Sequence, residues 1–585
     1  MSVFLYSLTH GLRGLEIAYV LVQGSMLIGL VRFRAPFLYY FKSPFLAGPL
    51  MLIGALVIAL VTVPLPGSDG VLVSILRVLL ASALYPWLGY AGGESLSRSG
   101  LPPPAKHRRG AVVSSARKTA ARRGSGAGIT LAGIPLVPED ETKHFKLIGT
   151  TGTGKSTAIR EMLSAALARG DRVIIADPDG GYLARYHDAA RGDVILNPFD
   201  GDALKWDLFG EITNDYDVEQ LARSLIPDNG ASDRTWTEYA RTFLAVVTQQ
   251  AIAAGARDDA ELYRLLTSAT VEELRVLLAG TAAGPFLEPG NERMFGSVRS
   301  IASSAVRALK YTTRQQAAPF SVRHWVRHGA ARCAGGQGGA LFLPYKAGEI
   351  AALRSVISAW IRIGIFEAMD REEADQRLWF VIDELDALGE IDGLKDALAR
   401  LRKFGGRCVL GFQSIAQVSG TYGRGVAETI VENCGNTLIL RCSASEHGGT
   451  SEFASKLIGQ REVMHTTISK TLRPDEWRAS NTSSQNLRIE PAVMASQIER
   501  LPDLQGFLKL ASVPDWQVVE LTPMSGPQPV RLRKPVTVTS PATPAAPRTV
   551  SPSAAAGSDA SATKAGRPRG RGVRAPTADP PAAAE

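Results

Sequence analysis

Cysteine is scarce in this chain. The four in 585 residues, Cys333, Cys408, Cys434 and Cys442, form no C-x-x-C pair. That argues against a zinc ribbon and a disulfide framework and makes reduced thiols the default. His187, His324, His328 and His447 show no ligand spacing. No small-residue cleavage site follows the first apolar stretch, so it does not read as a cleaved signal peptide. The middle of the chain also lacks the basic character that the overall charge of +9 suggests. Residues 91–125 carry eight Lys/Arg against Glu94, and residues 523–585 carry nine against Asp559, Asp579 and Glu585. The first ninety residues carry Arg13, Arg32, Arg34, Lys42 and Arg77 against Glu16 and Asp69, which leaves the remainder at about −7. Basic flanks suit anionic lipid or nucleic acid; the overall pI is no argument for a nucleic-acid-binding core.

Charge is missing altogether from Phe45–Pro66, a run long enough to cross a bilayer. Gly67-Ser68-Asp69-Gly70 reads as a tight turn. Val71–Tyr90 is a second apolar run, with Tyr85, Trp87 and Tyr90 suited to an interfacial belt. Arg77 inside it either snorkels to the nearer surface or faces another helix. Leu15–Val31 is shorter and holds Glu16 and Gln23, so two or three spans are open. Arg32, Arg34 and Lys42 on one side, and Lys106, Arg108, Arg109, Arg117, Lys118, Arg122 and Arg123 on the other, are both cytoplasmic by the positive-inside rule. Two spans with the N-terminus inside, or three with it outside, satisfy this. Either arrangement puts the rest of the chain in the cytoplasm.

That remainder holds one sharp pattern. Gly149-Thr150-Thr151-Gly152-Thr153-Gly154-Lys155-Ser156 fits G-x-x-x-x-G-K-[ST], the phosphate-binding P-loop, between the apolar run Phe145–Ile148 and the helix-forming stretch Thr157–Ala168. Backbone N–H groups of such a loop and the helix dipole cradle phosphates. Lys155 would reach the β- and γ-phosphates of ATP, and Ser156 would help hold Mg²⁺. Far downstream, Leu378–Ile382 is a continuous apolar run, as in a buried parallel strand, ending in Asp383-Glu384. Asp383 is assigned to the metal and Glu384 to polarising the attacking water.

These patterns divide the chain. A transmembrane module occupies 1–92 and a Pro/Gly/Arg-rich basic linker 93–126. An α/β nucleotide-binding domain occupies 127–207 and 326–522, interrupted at 208–325 by an all-α insertion. Helices are expected at Asp233–Ala254, after the capping box Thr270–Glu273, at Arg293–Lys310 and at Ile350–Met369. The tail 523–585, rich in Pro, Ala and Ser with scattered Arg, cannot bury a core and should be disordered.

The chain resembles the TraD/TraG-like coupling proteins of bacterial type IV secretion and conjugation, most of all the TraD-type branch. The resemblance rests on the membrane hairpin, His144–Thr157, Leu378–Leu385, Arg400–Arg407, Gly411–Ser414 and Glu490–Met494, and spans roughly residues 45–520. It implies a RecA-like P-loop ATPase in which Gly149, Gly152, Gly154, Lys155, Ser156 and Thr157 bind nucleotide. It also implies that Arg402 stabilises the transferring phosphate, in its own subunit or across a subunit boundary, and that Gln413 senses the γ-phosphate. Where some relatives place an arginine just upstream of the P-loop, this chain has Lys143 and Lys146, which lack its bidentate fork. The implied protein is a hexameric, multi-pass ATPase of the bacterial inner membrane. It would pump single-stranded DNA, carrying its relaxase, from the relaxosome to a type IV secretion channel. Alternatives are an FtsK-type translocase, although the long linker and C-terminal winged helix of that type are not seen, and a docking receptor without motor activity. Arg567, Arg569, Arg571 and Arg574 of the tail are expected to bind DNA or a relaxosome protein.

Overall fold

The computed structural model describes residues 2–33, 35, 37–62, 70–98, 106–115, 128–228, 234–328, 339–370, 377–445, 448–471 and 480–523. The turn at 67–69, most of the basic tail, Cys333 and His447 lie outside them.

Three N-terminal helices come first: α1 (Ser2–Arg32), α2 (Leu38–Thr62) and α3 (Val71–Arg98). Each contains a segment long and apolar enough to cross a membrane, Arg13–Arg32, Leu38–Thr62 and Val71–Ser97. The stretch left open in the sequence therefore also qualifies, at 20 residues against 25 and 27 for the other two. Helix α2 starts seven residues before the charge-free run; Lys42 sits near its end, over the Tyr39 ring. Glycine sets the packing of α1 on α3. A Cβ on Gly89 or Gly93 would collide with the backbone carbonyls of Val22 and Met26, the close approach that small residues permit in lipid. Of the two readings for Arg77, the one facing a neighbouring helix holds: its Nε donates to Thr62 Oγ1 at 3.0 Å.

The strands of the two larger sheets are, in chain order, β1 Lys106–Gly110, β2 Val113–Ser115, β3 Phe145–Ile148, β4 Arg172–Pro178, β5 Val194–Ile195, β6 Ala340–Tyr345 and β7 Leu378–Ile382. They continue with β8 Gly406–Phe412, β9 Asn436–Ile439, β10 Gln460–Thr471, β11 Ser480–Pro491, β12 Gln505–Lys509 and β13 Trp516–Glu520. Strands β1, β10 and β11 form an antiparallel three-stranded sheet. The other ten form the central sheet in the order β2-β13-β12-β9-β3-β8-β7-β4-β6-β5. From β9 to β5 every neighbour is parallel. Strands β3 and β7 are buried along their whole length, and β7, Leu378–Ile382, reads as an unbroken apolar run.

The region expected to be linker is partly regular structure: α3 runs through to Arg98, β1 pairs with β10, and β2 closes an edge of the central sheet. Their pairing comes from partners more than 350 residues away, and the polar sequence Lys106–Gly110 carries no strand pattern of its own.

The insertion is helical as expected, with α4 (Lys155–Ala168) and α5 (Gly181–Tyr186) preceding it in the nucleotide-binding fold. It comprises α6 (Asp215–Leu225), α7 (Arg234–Ala253), α8 (Asp259–Thr267), α9 (Val271–Leu277) and α10 (Glu292–Ala305), followed by α11 (Val322–His328). Thr270 caps α9 by accepting from Glu273 N at 3.2 Å. The helix expected to reach Lys310 breaks after Ala305. The insertion is not wholly helical, because Lys205–Trp206 pairs in parallel with Pro319–Phe320 where the chain enters and leaves. One continuous core runs from one face of the sheet, through α12 (Ile350–Met369), into the insertion, and a second core fills the opposite face.

Glu211 clasps the base of the insertion. Its buried carboxylate accepts from Trp206 Nε1 (3.0 Å), Ser321 Oγ (3.0 Å), Val322 N (2.7 Å) and Arg323 N (2.9 Å). Replacing Glu211 with Ala strands four donors, two of them in fully buried bonds. It should lower unfolding stability by at least about 3 kcal/mol, measured by chemical denaturation; a change below about 1 kcal/mol would show that the clasp does not hold the insertion.

Candidate active site

The P-loop folds as its glycines require. Gly152 and Gly154 have φ of +80° and +120°, values open to glycine and costly for other residues. The loop leaves the tip of β3 and runs into α4, which starts at Lys155. Its shape is fixed from behind. Thr150 N and Oγ1 donate to Arg441 O (2.9 and 3.2 Å), and Leu504 N donates to Thr153 O (2.9 Å). Leu504 itself sits at φ +67°, a left-handed conformation that costs a non-glycine residue about 1–2 kcal/mol. Its side chain and Leu521 pack where a Cβ on Gly154 would have to go.

Lys155 folds back over the loop, donating to Gly149 O at 2.6 Å and Thr150 O at 3.3 Å. Burial lowers its pKa, against the pull of Asp383 and Glu384. Ser156 Oγ donates to Asp383 Oδ2 at 2.7 Å.

Strand order explains how distant residues meet. Strand β8 lies between β3 and β7, so Gln413, Asp383 and Glu384 all emerge at the carboxyl ends beside the P-loop. The insertion of β8 needs Gly411, since a Cβ there would run into the Asp383 carbonyl. Gln413 bridges the two halves: it accepts from Thr151 Oγ1 at 3.0 Å and donates Nε2 to Glu384 Oε1 at 2.8 Å. Burial raises the pKa of Glu384, and that bond opposes the shift.

Arg402 is the exception. It is exposed in the turn before β8, at the opposite end of that strand from Gln413. Seven residues of strand put about 23 Å between the two ends. Within one chain, therefore, Arg402 does not join the site. Neither does Lys146: its buried ammonium donates to Val431 O (2.9 Å) and Cys434 O (2.6 Å), capping the end of helix Arg424–Asn433. Lys143 pairs with Asp140 at 3.5 Å.

Two side chains at the site have no sequence signature. Tyr182, on α5, donates its hydroxyl to Asp383 Oδ2 at 2.7 Å. Asp177, at the end of β4, accepts from Tyr182 N (3.1 Å) and Leu183 N (2.7 Å). Burial pushes Asp177 up to about 7 and raises Tyr182 as well.

The residues present fit a nucleotide-borne divalent cation. Asp383, Glu384 and Asp386 all act on Lys155, and among the described residues one buried oxygen of Asp386 has no hydrogen-bond partner. Among the described residues no group of three or more His, Cys, Asp or Glu forms a metal cage. Mg²⁺ typically takes one or two carboxylates, with phosphates and water supplying the remainder.

The comparisons agree with this geometry. Residues 128–522 match the family model described as the type IV secretion-system coupling protein DNA-binding domain. Coupling protein TraD of Escherichia coli (strain K12) is 30% identical over 390 residues, 66% of this chain and 53% of that protein; the chain thus spans about half the length of this curated relative. The solved structure of the unbound bacterial conjugative coupling protein TrwBdeltaN70 superposes with a TM-score of 0.65 at 30% identity, covering 74% of this chain and 97% of that one. Plasmid coupling protein TrwB in complex with ADP and Mg²⁺ superposes with a TM-score of 0.64 at 31% identity, covering 73% and 96%. The chain belongs to the type IV secretion-system coupling proteins, with a RecA-like P-loop fold carrying an all-α domain.

Lys155→Ala should weaken ATP binding by roughly a hundredfold, the loss of one or two charge-assisted hydrogen bonds. The melting temperature should barely move. Calorimetric titration showing near-native affinity would contradict the site.

Proposed function

We propose that, as a member of this family, the chain binds ATP with Mg²⁺, hydrolyses it, and uses the cycle to move DNA from the relaxosome toward a type IV secretion channel. The observation that carries the reading is the joining of Ser156, Asp383, Glu384 and Gln413 to the P-loop in one hydrogen-bonded set. TrwB has been solved with ADP and Mg²⁺ and with a non-hydrolysable ATP analogue. Nucleotide binding at residues 149–157 of this chain is the corresponding assignment. Ser156 and Asp383 would hold the cation, which supplies charge neutralisation at the β- and γ-phosphates when bound. Lys155, released from Gly149 O and Thr150 O, turns to those phosphates. Glu384 accepts the proton of the attacking water, and Gln413 orients Glu384 from one side while touching the loop through Thr151.

A residue some 20 Å away cannot reach the γ-phosphate of its own chain, so Arg402 acts, in this reading, on the site of a neighbour in a homo-hexameric ring. The N-terminal helices cross the bacterial inner membrane as three spans, with the N-terminus outside. Residues 33–37 and everything after α3 then face the cytoplasm, consistent with their basic charge. The insertion projects away from the membrane toward the DNA and its relaxase.

DNA-dependent turnover separates a motor from a docking receptor. The full chain in detergent should hydrolyse ATP faster when single-stranded DNA is added, with a steep rise on increasing protein concentration. Flat activity in both titrations would favour the receptor. Glu384→Gln should bind ATP normally and hydrolyse it about 10²–10⁴-fold more slowly; failure to bind nucleotide would reverse the carboxylate roles. Arg402→Ala and Lys155→Ala, each inactive alone, should recover part of the hydrolysis when mixed, because a mixed ring contains some intact Lys155 sites facing intact Arg402. If mixing restores nothing, Arg402 does not act across a boundary.

A further inference from the structure

Asp177 and Asp383 stand side by side, because Ala176 and Ile382 are partners in the register of β4 and β7 and each carboxylate is the next residue. Both are buried, at 0% and 4% exposure. Two neighbouring carboxylates in a buried site repel, and each needs donors to stay in place. One residue serves both. The Tyr182 backbone N–H donates to Asp177, and the Tyr182 hydroxyl donates to Asp383 Oδ2.

Tyr182 is itself packed in place. Its ring is 2% exposed and lies 5.8 Å from the Arg160 guanidinium. The turn that delivers it, Asp177-Pro178-Asp179-Gly180-Gly181, holds Asp179 and Gly180 at φ of +60° and +74°.

The second donor to Asp383 Oδ2 is Ser156. A serine that ligates a cation cannot be the sole anchor of the carboxylate beside it, because its geometry changes when the cation arrives. The terminal torsion of an aspartate is intrinsically broad. With Ser156 and Tyr182 both bonded to Oδ2, that oxygen's two acceptor positions are filled and Oδ1 accepts from neither of them.

We propose that Tyr182 is a positioning residue of the metal-binding half of the site: its hydroxyl locks the Asp383 carboxylate in the orientation that takes up a nucleotide-borne divalent cation. The proposal rests on the ATPase reading above. It makes the turn after β4 part of the site.

Tyr182→Phe removes the hydroxyl and keeps the ring. In the full chain, the affinity for a fluorescent ADP analogue in EDTA should be unchanged. The Mg²⁺ concentration that gives half of the Mg²⁺-dependent gain in affinity should rise about tenfold, the usual cost of losing an outer-shell partner. kcat should fall while KM for ATP moves little, and the melting temperature without nucleotide should stay near that of the parent. An unchanged Mg²⁺ midpoint overturns the proposal. So does a lowered melting temperature with weaker binding in EDTA, which would make the hydroxyl part of the fold only. If the parent chain shows no Mg²⁺-dependent binding of the analogue at all, the ATPase reading fails first.

Discussion

The hydrogen bond from Ser156 to Asp383 joins residues 227 positions apart in sequence. It exists only if β8 slots between β3 and β7, and much of the chain serves that arrangement. Gly411 lets β8 approach the Asp383 backbone. Arg441 and Leu504 brace the P-loop from the far side, from segments that end β9 and precede β12. The antiparallel strands β12 and β13 extend the sheet beside β9 and so back the loop with Leu504 and Leu521. The cost of a left-handed leucine is offset by the packing of its side chain against the loop.

The charge in this cleft is lopsided: three carboxylates, Asp383, Glu384 and Asp386, act on one lysine whose pKa burial lowers. Such a cleft is incomplete without added positive charge. A nucleotide alone would make the imbalance worse; a nucleotide carrying a divalent cation relieves it. Despite that pull, Lys155 rests on two backbone carbonyls and not on Asp383 or Glu384. Its side-chain nitrogen is parked on neutral acceptors, ready to exchange them for phosphate.

Much of this was legible in the sequence, because local patterns coincide with tertiary demands. The P-loop glycines, the apolar runs of β3 and β7, and helices such as Ile350–Met369 announce themselves through spacing and composition. The residues that sequence could not place depend on partners elsewhere. Tyr182 acquires its role from a strand two hundred positions away, and the polar strand β1 from pairing with β10. Arg402 has the opposite history. The resemblance nominated it, and the single chain puts it at the wrong end of β8, so its role depends on a second subunit. Lys146, a basic residue in the P-loop strand itself, turned out to be spent on carbonyls at a helix end.

The central claim is that this cleft powers movement along DNA and does more than hold subunits together. Displacement of a third strand from a DNA triplex by the full chain, followed in the presence of ATP and Mg²⁺, tests it most directly. The account predicts displacement that requires hydrolysable ATP and disappears when Glu384 is replaced by Gln. Tight nucleotide and DNA binding with no displacement, or displacement that persists with a non-hydrolysable analogue, would contradict it.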